Sequence, residues 1–227
     1  MADNYHGVLV LVATPIGNLE DLSPRAARIL READVVLAED TRRSAKLVSG
    51  RERIYSYHDH NVRGRIPQIE AFLAEGKTIA LITDAGMPGI SDPAYAAVRA
   101  ALDCGAGVEV IPGPCAVVSA LVLSGLPTDR FCFEGFLPRR RGKRRSRLED
   151  MESYGGTLVY FVGPHHLRGA LMEMRDVFGD RNACVARELT KLHEEVIRGS
   201  LSDLAERFAD QPPKGEITLV VSGASAD

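Results

Sequence analysis

Apolar positions follow two rhythms that alternate along the first half of the chain. Short β-branched runs at Val8–Ala13, Val35–Glu39, Ile54–Tyr57, Thr78–Thr83 and Val108–Ile111 predict strands. Between them lie helical signals. Ser23-Pro24 supplies an N-cap followed by a first-turn proline, and a helix is expected over about Thr41–Val48. Ile66, Ile69, Phe72 and Leu73 recur at helical spacing up to a stop at Gly76. Asp92-Pro93 repeats the cap-plus-proline signal ahead of a helix to about Leu102, and a last helix runs from about Cys115 to a stop at Gly125. Strands separated by helical stretches of roughly 10–15 residues predict a mostly parallel sheet with helices on both faces.

The texture changes after Gly125-Leu126-Pro127. Strands are expected at Phe131–Phe133 and Thr157–Val162, on either side of a basic, helix-prone stretch, Arg139–Glu152. A helix over about His165–Phe178 follows, then strands at Ala183–Ala186, Glu194–Ile197 and Ile217–Val221, with a short helix near Ser202–Phe208. Strands this closely spaced predict a mixed or antiparallel sheet. The chain therefore reads as α/β in two domains, 1–125 and 126–227, with the boundary near Leu126.

Three turns follow apolar runs directly: V-A-T-P-I-G-N-L-E-D-L (Val12–Leu22), T-D-A-G-M-P-G-I-S-D-P (Thr83–Pro93) and I-P-G-P-C-A (Ile111–Ala116). In an open α/β sheet such turns lie at the carboxyl ends of the strands, where ligands bind. A dinucleotide would need G-x-G-x-x-G at the first turn, which offers one glycine, Gly17, and a proline, Pro15, without an N–H for a pyrophosphate. Glu39 alone mimics the ribose-binding acid of that motif. No Lys or Arg occurs over Thr83–Pro93 or Ile111–Leu126. Carboxylates at Asp84 and Asp92 and apolar groups at Met87, Pro88 and Ile90 suit a neutral or sulfonium-bearing ligand better than a polyphosphate.

Charge adds a second clue. The 227 residues carry a net charge of −3, yet Arg139, Arg140, Arg141, Lys143, Arg144, Arg145 and Arg147 concentrate seven cations in one segment. Without them 21 basic residues face 31 acidic ones, so an acidic body carries one strongly basic stretch. A charge run is commonly a solvated helix face. The absence of acids between these cations points instead to a polyanion. Cys104, Cys115, Cys132 and Cys184 form no C-x-x-C pair, so reduced thiols in the cytoplasm are expected, with neither a disulfide framework nor a zinc site. His58 and His60 have no third ligand at useful spacing, and no metal is expected. No apolar run reaches the ~20 residues of a membrane span, and the start of the chain lacks the features of a signal peptide.

The three turns, together with G-F-L-P at Gly135–Pro138 and R-E-L-T-K-L-H-E-E at Arg187–Glu195, closely resemble the ribosomal RNA small-subunit methyltransferase I family of the tetrapyrrole methylase superfamily. The resemblance runs from about Val8 to Val221. Family members often carry a further small C-terminal domain; with the sequence ending soon after G-E-I-T-L-V-V, its contribution is expected to be missing or dispensable here. The resemblance implies S-adenosylmethionine bound in a cleft between two α/β domains and a homodimer. It also implies methylation of the ribose 2′-oxygen of one cytidine in the decoding region of 16S rRNA, naked or within the 30S subunit.

By motif, the cofactor residues are Pro15, Ile16, Asp84, Ala85, Gly86, Ile90, Cys115, Ala116, Val162 and Leu189. A general base would assist a ribose hydroxyl. The candidates are Asp40, Glu188 and Lys191, with Glu39 behind them, although Asp40 could instead cap a helix and Glu188 could pair with an arginine. Arg42, Arg43, Arg139, Arg140, Arg141, Lys143, Arg144 and Arg145 are the expected RNA contacts, chiefly to phosphates. Two other readings keep the fold: a methyltransferase acting on a tetrapyrrole, and a non-catalytic RNA-binding factor.

Overall fold

The computed structural model describes residues 7–48 and 53–224. The chain divides into two compact units, Met1–Cys115 and Ala116–Asp227. In the first, the elements alternate as β1 (Val8–Val12), α1 (Pro24–Glu32), β2 (Val35–Ala38), α2 (Thr41–Ser44), β3 (Ile54–Ser56), α3 (Val62–Ala74), β4 (Thr78–Ile82), α4 (Ala94–Asp103) and β5 (Gly107–Ile111). The strands form one parallel sheet in the order β3-β2-β4-β1-β5.

Successive strand residues supply opposite faces of this sheet. Val10, Val12, Ala80 and Ile82 pack with Ala26 and Leu30 of α1. Leu9, Leu11, Ile79 and Leu81 pack with Ile69 and Leu73 of α3 and with Ala94, Ala97 and Ala101 of α4. Because both faces are covered there, β1, β2 and β4 read as nearly unbroken apolar runs, whereas the edge strands β3 and β5 are partly exposed. The β1→β2 and β4→β5 connections leave the neighbouring strands β1 and β4 in opposite directions and on opposite faces, which makes the carboxyl ends of β1 and β4 the topological switch point.

Local signals account for most helix starts. Ser23 Oγ accepts the Ala26 N–H at 3.0 Å and Pro24 is the first helical residue, as the sequence predicts. At α4 the capping differs: Pro93 occupies the cap position, while Asp92, one residue earlier, accepts the Ala94 and Gly89 N–H groups at 2.9 Å. The expected helix over Thr41–Val48 is a single turn. Beyond Ser44 the bonds Lys46 N–H to Arg43 O and Leu47 N–H to Ser44 O tighten the backbone and turn Leu47 and Val48 onto the α1 face of the sheet.

The second unit contains α5 (Ala116–Ser124), β6 (Phe131–Phe136), α6 (Arg141–Glu149), β7 (Thr157–Val162), α7 (Leu167–Phe178), β8 (Asn182–Arg187), β9 (Glu195–Ser200), α8 (Leu201–Arg207) and β10 (Ile217–Val221). Its sheet, in the order β6-β7-β10-β8-β9, is mixed: β6 and β7 run parallel and the other neighbours antiparallel. One face packs Leu158, Tyr160, Leu219 and Val185 against Leu148 of α6, Leu167, Leu171 and Met174 of α7, and Leu201 and Leu204 of α8. Helix α5 lies against β10, β8, β7 and β9. The compact units therefore divide between Cys115 and Ala116, ahead of the boundary expected near Leu126. Among the described residues no helix is long and apolar enough to cross a membrane.

Leu148 is the buried residue of an otherwise arginine-rich helix and is wholly inaccessible. Leu148→Ala should lower the unfolding free energy by about 2–5 kcal/mol, read as a reduced urea midpoint. An unchanged midpoint would mean that α6 is not anchored through this side chain.

Candidate functional site

At the switch point the first two turns are joined backbone to backbone. Thr14 N–H donates to Gly86 O at 2.9 Å and Gly86 N–H donates to Thr14 O at 3.1 Å, an isolated antiparallel bridge beyond the ends of the parallel strands. The Thr14 hydroxyl, fully buried, donates to Thr83 O at 3.1 Å. Gly86 has φ +87°, and a Cβ there would lie 3.2 Å from Ile16 Cγ2 and 3.5 Å from Pro114 O. Only a glycine lets the three turns converge at this spot.

Around this junction Pro15 and Ile16 are buried, Ala85 and Ile90 are exposed, and Asp84, Cys115 and Ala116 are half-buried. Asp92 holds the Gly89 N–H with both carboxylate oxygens, at 2.8 and 2.9 Å, which fixes the second turn. Asp84 Oδ1 accepts the Asp40 N–H at 2.9 Å and Oδ2 accepts Arg43 Nη1 at 3.1 Å. Thr83 donates its hydroxyl to the exposed Glu39 at 2.9 Å. Thus Asp40, Asp84 and Arg43 form one cluster at the carboxyl ends of β2 and β4. Asp40 caps α2 through the Arg42 N–H at 2.9 Å and also takes the Arg42 guanidinium. Those bonds, the side-chain ones first, hold its carboxyl below the usual range.

Val162, Leu189, Glu188 and Lys191 belong to the second unit. Register places Val162 and Arg187 both opposite Ile217, and Phe136 opposite Phe161, so the loops at this end of the sheet share an edge. Glu188 Oε1 accepts Lys191 Nζ at 2.8 Å and the Glu216 N–H at 3.0 Å, and Lys191 Nζ also reaches Glu216 Oε2 at 3.1 Å. Glu188 and Thr190 are both left-handed, at φ 50° and 65°, conformations that β-branched threonine in particular resists. Leu189 between them is buried. A Cβ at Gly215 would collide with the Glu188 carboxyl, so the side chain is laid across bare backbone. Lys191 first, then the Glu216 N–H, holds the Glu188 carboxyl below its ordinary range. Burial pulls Lys191 down, but its bonds to Glu188 and Glu216 outweigh that and raise it.

Carboxylates absent from between the cations of the basic run reach them from its flanks and from α7. Arg144 meets the buried Glu173 of α7 at 2.5 Å, Arg147 meets Glu134 of β6 at 2.5 Å, and Arg145 pairs with Glu149 one turn on at 2.8 Å. Arg139, Arg140, Arg141 and Lys143 are exposed and have no carboxylate partner among the described residues. Arg42 and Arg43 are 90% and 70% exposed while paired to Asp40 and Asp84. The His58 and His60 rings stand 6.0 Å apart, and among the described residues no group of three or more His, Cys, Asp or Glu is arranged for a metal ion. Sequence reasoning missed Thr14, Glu134, Glu173, Gly215 and Glu216. Only the turn-forming P-P-K-G before β10 offered a signal for the last pair.

This switch-point architecture is that of the family described as Tetrapyrrole (Corrin/Porphyrin) Methylases, whose profile matches residues 8–205, and the chain belongs to that family. Within it the similarity is to methyltransferases named ribosomal RNA small subunit methyltransferase I. The Thermotoga maritima protein of that name is 44% identical over 96% of this chain and 99% of its own length. The one from Halalkalibacterium halodurans is 46% identical over 96% of this chain and 76% of its own. In fold, the chain resembles diphthine synthase at TM-score 0.72 and 16% identity, covering 97% of this chain and 91% of that one. It also resembles the uroporphyrin-III-C-methyltransferase from Thermus thermophilus at 0.64 and 24%, covering 95% and 94%.

The Glu188–Lys191 pair predicts a pH dependence. A carboxyl whose folded pKa lies below its ordinary 4.5 contributes stability that is complete above that pH and is lost as the pH falls through the lowered value. The urea-midpoint difference between wild type and Glu188→Gln should therefore be largest above about pH 4.5 and shrink below it. Parallel curves would show that the ion pair does not support the loop.

Proposed function

We propose that the chain transfers the methyl group of S-adenosylmethionine to the ribose 2′-oxygen of a cytidine in the decoding region of 16S rRNA, acting in the cytoplasm as a homodimer. The observation that carries this reading is the 44–46% identity, over 96% of the chain, to proteins named ribosomal RNA small subunit methyltransferase I.

The first unit suits such a donor. Its junction is walled by backbone carbonyls and N–H groups, by the cradle over Gly86 and by apolar Ile16 and Ile90, and no Lys or Arg occurs within the second or third turn. Arg43, which reaches the second turn from α2, is neutralised on Asp84. When bound, S-adenosylmethionine supplies a methyl carbon on a cationic sulfur, which carbonyl oxygens favour and free ammonium groups repel. Pro15, Ile16, Asp84, Ala85, Gly86, Ile90, Cys115 and Ala116 would hold it, and the family resemblance adds Val162 and Leu189.

The chain's own part in the chemistry is orientation and one proton. Holding the hydroxyl oxygen in near-attack geometry is worth up to ~7–11 kcal/mol. Asp40 has both oxygens engaged by Arg42, which favours a capping role. Lys191, held protonated, is a cation rather than a base. Glu188 makes its bonds through Oε1, leaving Oε2 to orient the 2′-hydroxyl and accept its proton. The Lys191 and Glu216 bonds that fix the carboxylate also lower its basicity, so orientation is the larger part of its role. Arg139, Arg140, Arg141 and Lys143, lacking carboxylate partners, are the cations most available to phosphates, ahead of Arg42, Arg43, Arg144 and Arg145.

Purified protein should methylate 30S subunits from a strain lacking the modification, with mass mapping of the 16S rRNA locating one ribose 2′-O-methyl. Glu188→Gln should lower kcat by about 10²–10⁴ with donor affinity retained. Gly86→Val should weaken donor binding in calorimetry by at least about tenfold, since ~1.4 kcal/mol of strain suffices. Methylation of a precorrin instead of rRNA, or tight RNA binding without turnover, would defeat the proposal.

A further inference from the structure

Strand β6 is one of the two outer strands of the second sheet, and its register on β7 slips at one point. Phe133 lies opposite Val159, and the next pair is Gly135 with Tyr160, so Glu134 is an extra residue. Bulges are rare between parallel strands and are found where a side chain must be re-aimed. Gly135, at φ +67°, absorbs the backbone change. The side-chain period of two is broken at this point, with an effect on each side of it. Glu134 turns toward the arginine helix and takes Arg147. Phe136, which strict alternation would put on the opposite face from Phe133, joins it beside Phe161.

The result is an aromatic row. Phe133 and Phe161 stand 4.9 Å apart between ring centroids, edge to face, and Phe136 and Phe161 5.3 Å apart. The first two are half-buried, whereas Phe136 is 65% exposed. An exposed phenyl ring braced from behind by another ring presents a rigid π-face to solvent. Three residues later comes the stretch Arg139, Arg140, Arg141 and Lys143, exposed and without carboxylate partners. Three residues of chain span at most ~11 Å. Phe136 also lies at the same end of the sheet as Glu188 and Lys191, with three strand spacings, roughly 14 Å, between β6 and β8.

A stacking ring followed within a few residues by free cations is a combination that captures single-stranded nucleic acid, in which the bases are exposed and the phosphates are close by. Resting on the RNA reading of the preceding subsection, we infer that Phe136 is a nucleobase platform. An unstacked base of the substrate strand lies on its ring while Arg139, Arg140, Arg141 and Lys143 hold the flanking phosphates. Phe136 acts as a positioning residue: it fixes which nucleotide of the strand stands over the reactive end of the sheet. Charge complementarity selects RNA over a second protein surface as the occupant, since four exposed cations without carboxylate partners, within seven residues of the ring along the chain, would oppose a like-charged copy of the same segment.

The test uses the full chain and a fluorescein-labelled single-stranded RNA oligonucleotide of the 16S decoding-region sequence. Phe136→Leu keeps an apolar side chain and removes the π-face, and it should weaken binding by about 5- to 150-fold, the range expected for removing one base stack. Phe136→Tyr should bind within about twofold of wild type. The slope of log K against log salt should stay unchanged in Phe136→Leu, whereas Arg140→Gln with Arg141→Gln should reduce it by ~0.7 for each phosphate no longer neutralised. An abasic substitution at the stacked nucleotide should weaken wild type and leave Phe136→Leu no worse. Equal RNA affinity of wild type and Phe136→Leu overturns the platform alone. Equal affinity with an altered sedimentation coefficient also overturns it and assigns the ring to contact between copies. A wild-type protein that binds neither this RNA nor 30S subunits removes the functional reading and the platform with it.

Discussion

Two backbone hydrogen bonds between Thr14 and Gly86 hold the switch-point end of the first unit together. Within parallel strands the carbonyls and N–H groups point sideways to the neighbouring strands, and the connections leaving a switch point run to opposite faces of the sheet. Here the loops after β1 and β4 are turned back on each other and pinned, with the Thr14 hydroxyl closing the remaining carbonyl at Thr83. Ile16 and Pro114 then pack over Gly86, which has no side chain. This end of the first unit is thus set by main-chain geometry, the form of preorganisation that would lower the cost of ordering on binding the proposed donor. Its chemistry is correspondingly mild. It offers shape, dipoles and apolar contact, with Asp84 already shared between the Asp40 N–H and Arg43.

Charge is handled differently in the second unit. The loop carrying Glu188 and Lys191 adopts left-handed backbone at two residues that have a Cβ. It does so because a carboxylate, an ammonium group and the Glu216 backbone close a ring of bonds around it. Strain of this kind persists where surrounding contacts over-determine it, and such positions cluster at functional sites. The basic helix shows the same economy. Arg144 and Arg147 anchor it to Glu173 and Glu134, and the cations at its start are left to solvent.

Much of the fold was legible. The β-branched runs located all five strands of the first sheet, and Ser23-Pro24 marked a helix start to the residue, because these features are decided within a few residues of the chain. What escaped was decided at a distance. Helix α5, A-V-V-S-A-L-V-L-S, is apolar nearly all round, so its periodicity does not say which sheet it covers. The extent of β6 was underread because a bulge breaks the alternation on which strand recognition depends. Of the candidate site, the turn motifs marked the residues that converge at the ends of β1 and β4. The engagement of Arg144 and Arg147 was hidden, since their partners lie 29 and 13 residues away in sequence. Asp40 illustrates the middle case: its capping geometry was foreseeable from the following Thr41, but its bond to Asp84 required two strands to be neighbours.

The strand order of the second sheet bears on how the molecule is made. β10 is the last strand in the chain, yet it occupies the centre of its sheet, with β7 on one side and β8 on the other. As the polypeptide leaves the ribosome, the first unit has every strand it needs once Ile111 has emerged. The second must wait, its two half-sheets unjoined, for Ile217–Val221 to thread between them. Until then the apolar flanks of β7 and β8 have open ladders. Nascent chains stopped short of Ile217 would therefore hold a finished amino-terminal unit attached to an adhesive, unclosed remainder.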